Sequence, residues 1–191
     1  SNALMGGGNV NSLIIQNTNP LVVAPESLLV REGFSREDLF VCVHEQFMTE
    51  TAKYADIVLP ATTFVEHDDI YIAGGHQHIT FGPKLIEPIG ASRSNHRVIS
   101  ELSKRLGATH KGFSMTEREI IDWTLKSSNH GALVDLEKKG WKDVQPDFNT
   151  SHFINGFGHK DKKFHFKPDW SEVGPDYHNM PEYPDYMNTT E

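Results

Sequence analysis

Apolar residues in this chain come in short runs set between polar, turn-forming clusters. Leu13-Ile14-Ile15, Leu39-Phe40-Val41-Cys42-Val43 and Asp56-Ile57-Val58-Leu59-Pro60 each read as a buried strand. They are apolar on both faces, which suits a parallel sheet covered by helices. The first run stops at Asn17-Thr18-Asn19-Pro20, a turn. Pro25-Glu26-Ser27 then opens a short helix through Leu28, Leu29 and Val30, closed near Gly33. A second helix is predicted from Glu45 to Ala55, with Phe47, Met48 and Thr51 facing inward. The expected fold is α/β and three-layered. Its core is a small, mostly parallel sheet with flanking helices (βαβαβ), followed by extra helices and an extended C-terminal segment.

Farther along, Ile70-Tyr71-Ile72 and His78-Ile79-Thr80-Phe81 flank Gly74-Gly75, the pattern of a hairpin. From Ser94 to Leu106, Val98, Ile99, Leu102 and Leu106 recur at helical spacing, and Gly107 is a stop signal. Ser114 or Thr116 can cap a helix through Ile120, Ile121, Trp123 and Leu125, and another runs from Ala132 to Lys139, closed by Gly140. After Trp141 the texture changes. Phe164-His165-Phe166 reads as a strand, and Met180-Pro181-Glu182-Tyr183-Pro184 as coil. Three segments follow: 1–3, which resembles the scar of a removed tag; 4–145, the α/β domain; and 146–191, an aromatic and proline-rich extension. The end, Asn188-Thr189-Thr190-Glu191, carries no folding signal.

Charge and composition narrow the function. With 18 Lys and Arg against 26 Asp and Glu, the net charge is -8, and no basic cluster is present. That argues against nucleic-acid binding. No apolar run approaches the length of about 20 residues that spans a bilayer, so membrane insertion is not expected. Cys42 is the only cysteine, which excludes an intrachain disulfide and a cysteine-based metal site within these residues. It also points to a reducing, cytoplasmic compartment. Glu66-His67-Asp68-Asp69, with His76 and His78 nearby, has zinc-compatible ligand types but no standard ligand spacing.

In an open parallel sheet, ligands bind beyond the carboxyl ends of the strands. Three polar segments fall at that edge: Asn17-Thr18-Asn19-Pro20, His44-Glu45-Gln46-Phe47-Met48-Thr49 and Pro60-Ala61-Thr62-Thr63. A carboxylate there suits a ribose hydroxyl or a guanine N–H edge, and a threonine near a helix start suits a phosphate. The motifs are then specific. Val43-His44-Glu45-Gln46-Phe47-Met48-Thr49-Glu50-Thr51-Ala52, Ala55-Asp56-Ile57-Val58-Leu59-Pro60-Ala61 and Glu66-His67-Asp68 resemble the molybdopterin oxidoreductase family of the DMSO-reductase type, which includes formate dehydrogenases and nitrate reductases. Asn17-Thr18-Asn19-Pro20 and Ser94-Asn95-His96 resemble the same family.

The resemblance implies a fragment of the central cofactor-binding domain. Its cofactor would be a molybdopterin guanine dinucleotide carrying molybdenum or tungsten, with an iron–sulfur cluster possible upstream. It also implies that Glu45 and Thr49 lie at the guanosine, Asn95 near the guanine, and Asn17, Asn19 and Pro20 against the dinucleotide. His44 and Gln46 are adjacent candidates, and Thr80 falls where relatives often carry glutamine. The metal-ligating residue of relatives lies far upstream, outside these residues. No catalytic or metal-binding residue is therefore expected here, no cofactor is expected to stay bound, and the chain alone should be inactive. Expected partners are the remaining domains of the parent polypeptide, a small-molecule redox substrate and an electron-transfer subunit. Two other readings stand beside this one: a molybdenum-free electron-transfer relative of the complex I iron–sulfur subunit type, and a non-enzymatic nucleotide-binding or interaction module. The site residues also have plain structural uses. Glu45 can complement a helix dipole, Thr49 can bond back to a carbonyl, and Asn95 can be an N-cap. Asp56 reads as a strand-entry residue, and Cys42 as a small buried hydrophobe. Phe157, Phe164, Phe166, Trp170, Tyr177 and Tyr183 read as a wrapping tail.

Overall fold

The computed structural model describes residues 10–170, 180, 181, 183 and 185. Ser1-Asn2-Ala3, Tyr177, Glu182, Pro184 and Asn188-Thr189-Thr190-Glu191 lie outside the described residues. Two units divide the chain, Ser1–Val144 and Gln145–Glu191.

The first unit begins with a parallel sheet. Its strands β1 (Ser12–Gln16), β2 (Phe40–Glu45) and β3 (Ile57–Pro60) lie side by side in chain order. Alternation sorts their side chains: Ile15, Val41 and Val43 point into one core. Two helices cross between β1 and β2: α1 (Pro20–Val23), entered at the proline of the predicted turn, and α2 (Ser27–Phe34). They add Leu21, Val30 and Phe34 to that core, which Leu39 and Ala52 complete. Each fully buried side chain of this size stabilises by about 1.5–3 kcal/mol. Asp56 does enter its strand as predicted: its Oδ2 accepts from the Val41 amide at 2.7 Å, tying β3 to β2.

The predicted helix from Glu45 to Ala55 does not form. β2 continues through Glu45, and the connection to β3 holds only a 3-10 turn, Ala52–Tyr54. Local polar groups take the backbone partners that a helix would need. The Glu45 carbonyl accepts from the Ala61 amide at 3.1 Å, and the Thr49 hydroxyl accepts from the Ala52 amide at 3.1 Å. Such side chain–backbone bonds compete with helix formation.

A second, antiparallel sheet contains the predicted hairpin, β4 (Asp69–Ala73) and β5 (His76–Gly82). Next comes α3 (Asn95–Arg105), whose cap Ser94 accepts from the Arg97 amide at 3.2 Å. Its apolar stripe is only partly covered: Val98 is buried, but Leu106 is 83% exposed. Then follow α4 (Glu117–Ser127) and α5 (Leu133–Lys139). Gly140 ends α5 at φ 78, a left-handed backbone that glycine adopts without a Cβ clash. The chain turns there into β6 (Trp141–Asp143), which pairs with β5 and was not anticipated from the sequence. Ile79, Ile121, Leu125, Leu133 and Leu136 form a second core between this sheet and its helices.

In the second unit, α6 (Phe148–Ser151) is capped by Asp147, whose Oδ1 accepts from the Thr150 amide at 3.1 Å. The strand expected at Phe164-His165-Phe166 is absent. Asp161 accepts from the Lys163 amide at 3.0 Å and bonds His165, holding a turn, while Phe164 packs edge-on against Phe157 and Phe166. No helix among the described residues is long and apolar enough to cross a membrane.

Candidate functional site

Gln16 pairs with His44 and Glu45 with Pro60, so the chain leaves all three parallel strands on one edge. Past β3 that edge is extended by one residue. Arg93 bridges Ala61 in parallel, its amide donating to the Pro60 carbonyl at 3.1 Å and its carbonyl accepting from the Thr62 amide at 3.2 Å. α3 therefore starts beside the exit of β3.

On the first loop, Asn17 is exposed and left-handed at φ 54, a conformation asparagine tolerates. Pro20 occupies the first turn of α1, where its missing N–H costs nothing. Asn19 lies between them and is half-buried. Its Oδ1 accepts from the Thr51 hydroxyl at 2.7 Å and the Thr51 amide at 3.2 Å. The Thr51 Oγ1 in turn accepts from the Leu21 amide at 3.1 Å. This network locks the loop after β1 to the segment after β2.

On the second loop, the Glu45 Oε1 accepts from the Gln46 amide at 2.7 Å. The Gln46 Nε2 donates to the Thr62 carbonyl at 2.9 Å, joining the loops after β2 and β3. Thr49 is half-buried and caps the 3-10 turn through the bond to Ala52. With no helix following β2, Glu45 cannot serve as a helix-dipole acid, and Thr49 is not one helical turn away from it. His44 is fully enclosed. One tautomer satisfies both its nitrogens, with Nε2–H donating to the Arg93 carbonyl at 3.0 Å and Nδ1 accepting from the Gln16 Nε2 at 3.1 Å.

Asn95 opens α3 and lines a hollow of about 190 Å³ together with His67, Asp69, Ser94, His96 and Glu117. The His67 Nδ1 is 2.8 Å from the Thr62 Oγ1. The Ser94 hydroxyl donates to the Glu117 carboxylate. Thus the structure brings Asn17, Asn19, Pro20, Glu45, Gln46, Thr49 and Asn95 to one edge and keeps His44 inside it. Thr80 stands apart, in the antiparallel sheet opposite Tyr71 and Trp141.

Beneath this edge, Glu66 is buried. Its carboxylate accepts from the Thr63 amide at 2.6 Å, the Thr63 hydroxyl at 2.8 Å and the Ile89 amide at 2.6 Å. Those donors, the Thr63 amide foremost, hold its pKa below the usual glutamate value. Neither the Thr63 and Ile89 partners of Glu66 nor the Thr51 network was foreseen in the sequence. The Thr49-Glu50-Thr51 run, poor in strong helix formers, was the available signal for the second.

Among the described residues, no group of three or more His, Cys, Asp or Glu side chains is arranged to hold a metal ion. Cys42 is buried in β2, and desolvation raises its thiol pKa, the opposite of what a metal-ligating thiolate needs.

Comparison with known proteins places this edge in context. Residues 1–105 match the model of the molybdopterin oxidoreductase family. Probable oxidoreductase YoaE of Bacillus subtilis is 41% identical over 128 residues, covering 67% of this chain and 19% of that protein. Formate dehydrogenase H of Escherichia coli is 36% identical over 101 residues, 52% of this chain and 14% of that protein. This chain thus spans about a fifth or less of the length of these two relatives. Acetylene hydratase from Pelobacter acetylenicus superposes with a TM-score of 0.72 at 20% identity, over 97% of this chain and 25% of that one, a likeness of fold. With a family model covering more than half of its residues, the chain belongs to the molybdopterin oxidoreductase family.

Proposed function

We propose that the carboxyl edge of the parallel sheet holds the guanosine end of a molybdopterin guanine dinucleotide within a longer oxidoreductase. The observation that carries this reading is that Asn17, just past β1, Glu45, the last residue of β2, and Asn95, two residues past the Arg93 bridge beyond β3, all lie at the carboxyl ends of the strands. The donor set fits a guanine nucleotide. One Glu45 oxygen is engaged by the Gln46 amide, and the other takes no bond among the described residues. That leaves an acceptor for the N–H edge of guanine, while asparagine amides can meet its carbonyl or the ribose. Backbone amides at the start of α3 suit a phosphate. In this arrangement Asn19, His44 and Gln46 act by positioning the loops, and Thr80 makes no contact with the nucleotide.

The metal end requires residues that this chain does not supply, so the chain by itself should not turn over. When bound, the cofactor supplies two-electron redox chemistry at molybdenum or tungsten, and the protein supplies orientation. The remaining domains of the parent polypeptide, an iron–sulfur cluster, a small redox substrate and an electron-transfer subunit complete the proposed assembly, in the cytoplasm. Calorimetric titration with GMP and AMP tests the site. GMP should bind more tightly, and Glu45→Ala should weaken GMP about tenfold or more, the worth of a hydrogen bond to a charged group. Equal affinity for the two nucleotides, or an unchanged GMP affinity in the variant, would sink the assignment.

A further inference from the structure

One face of the parallel sheet is covered by helices over β1 and β2, though not over β3, where Val58 is exposed, and the other face is open. Leu13, Ile15, Val41 and Val43 meet the helices on the first. On the second, the register sets Ile14, Cys42 and Ile57 abreast, with Phe40 before them and Leu59 beyond. Arg93 closes over His44 at the carboxyl end of this face. Cys42, at the centre, is buried between its neighbours, but the large side chains around it are bare: Ile14 is 57% exposed, Phe40 44%, Ile57 44% and Leu59 38%. Parallel sheets are covered on both faces in nearly all folds that contain them. Four large apolar side chains on one sheet face therefore indicate that a layer is missing.

Two further observations say what the layer is. Beside the face runs a groove of about 330 Å³, walled on one side by His44, Leu59 and Pro60 and on the other by Val98, Leu102 and Arg105 of α3. These α3 positions lie on one helical stripe, so the stripe left partly bare by the fold borders the bare sheet. In addition, nearly the whole chain, 97%, superposes on only 25% of acetylene hydratase, and its match to YoaE spans 19% of that protein. Family members of that length carry ample polypeptide for a further layer.

We propose that the face of Ile14, Phe40, Ile57 and Leu59, together with the α3 groove, is the docking surface for an amphipathic helix from the remainder of the same polypeptide. It rests on reading the chain as one part of a longer oxidoreductase. A helix fits because crossovers between parallel strands place helices on sheet faces. Arg105 at the groove is already paired with Glu101 at 3.2 Å, so Arg93 is the cation there that favours a carboxylate on that helix.

Hydroxyl-radical footprinting read by mass spectrometry tests this, comparing the 191-residue chain with the full product of its native gene. Oxidation of Ile14, Phe40 and Leu59 should fall at least about fivefold in the longer polypeptide, as surface side chains become core ones. Equal labelling in both, or a native product no longer than this chain, overturns the assignment. Protection that grows with concentration of the short chain assigns the face to a second copy and overturns it too. Ile57→Asp should leave the melting temperature of the short chain within about 2 °C and lower that of the longer protein by more. An equal loss in both would mean that the face packs internally. None of these readouts involves nucleotide, so a failure of guanine selectivity at the sheet edge would leave this result standing, and the reverse holds.

Discussion

Glu66 shows how much a single carboxylate can organise when it is buried among donors. It joins the loop after β3 to the segment before α3 through three bonds, so both sides of the candidate edge depend on it. Glu66→Gln should lower the melting temperature at neutral pH, because an amide NH2 must then face a backbone N–H. The pH dependence follows from the depressed pKa. The ionised form contributes its full stability above the unfolded-state value of about 4.3 and loses it as pH falls through the lower native value. The gap between wild type and variant should therefore narrow in acid, as thermal melts across that range will show. A gap that stays constant down to the most acidic melts would mean that Glu66 is not the ionised hub described here. Asn19 and His44 carry the same lesson. Both looked like ligand contacts in the sequence, and both spend polar atoms on internal bonds to residues 32 and 49 positions away.

Whole elements were easier to read where local rules agree. The α4 start is a capping box: the Thr116 hydroxyl takes the Glu119 amide, and the Glu119 carboxylate takes the Thr116 amide at 2.7 Å. Thr116→Ala should cost about 1 kcal/mol, measured by urea denaturation, and an unchanged midpoint would mean that the cap is redundant. The α5 stop at Gly140 was legible because glycine marks a left-handed backbone there, and the hairpin because two apolar runs flank Gly74-Gly75. The stretch from Glu45 to Ala55 was not. Its apolar residues have helical spacing, yet Phe47 and Met48 are exposed, and the hydrogen bonds that decide its path come from Asn19, Ala52 and Ala61.

At the level of the folded chain, the first unit is built on two apolar clusters, one around Val41 and Val43 and one around Leu125 and Leu136. Ile15 belongs to the first and Ile79 to the second, without shared partners in either core. Ile15→Val and Ile79→Val should each cost about 0.5–1.5 kcal/mol. Their effects should add to within about 0.5 kcal/mol in the double variant. Denaturant titration of all three variants checks this, and strong non-additivity would mean that the two cores communicate through packing.

The α/β class, the parallel order of the three strands, the hairpin and four of the helices were all present in the linear pattern. Apolar period, capping residues and glycines act over a few residues, so they are visible without coordinates. So was the family, because its motifs are contiguous. What folding settled was the use of each polar side chain. The Asn19 Oδ1, the Gln46 Nε2 and both His44 nitrogens are spent on bonds within the fold, whereas among the described residues Glu45 keeps one oxygen unengaged and Asn17 stays exposed. The Arg93 bridge that carries Asn95 to the sheet edge, and the bare face of Ile14, Phe40 and Ile57, likewise depend on partners far along the chain. A side chain's hydrogen-bond capacity is written in its chemistry, but whether that capacity is spent or left for a ligand depends on neighbours that only folding brings within reach.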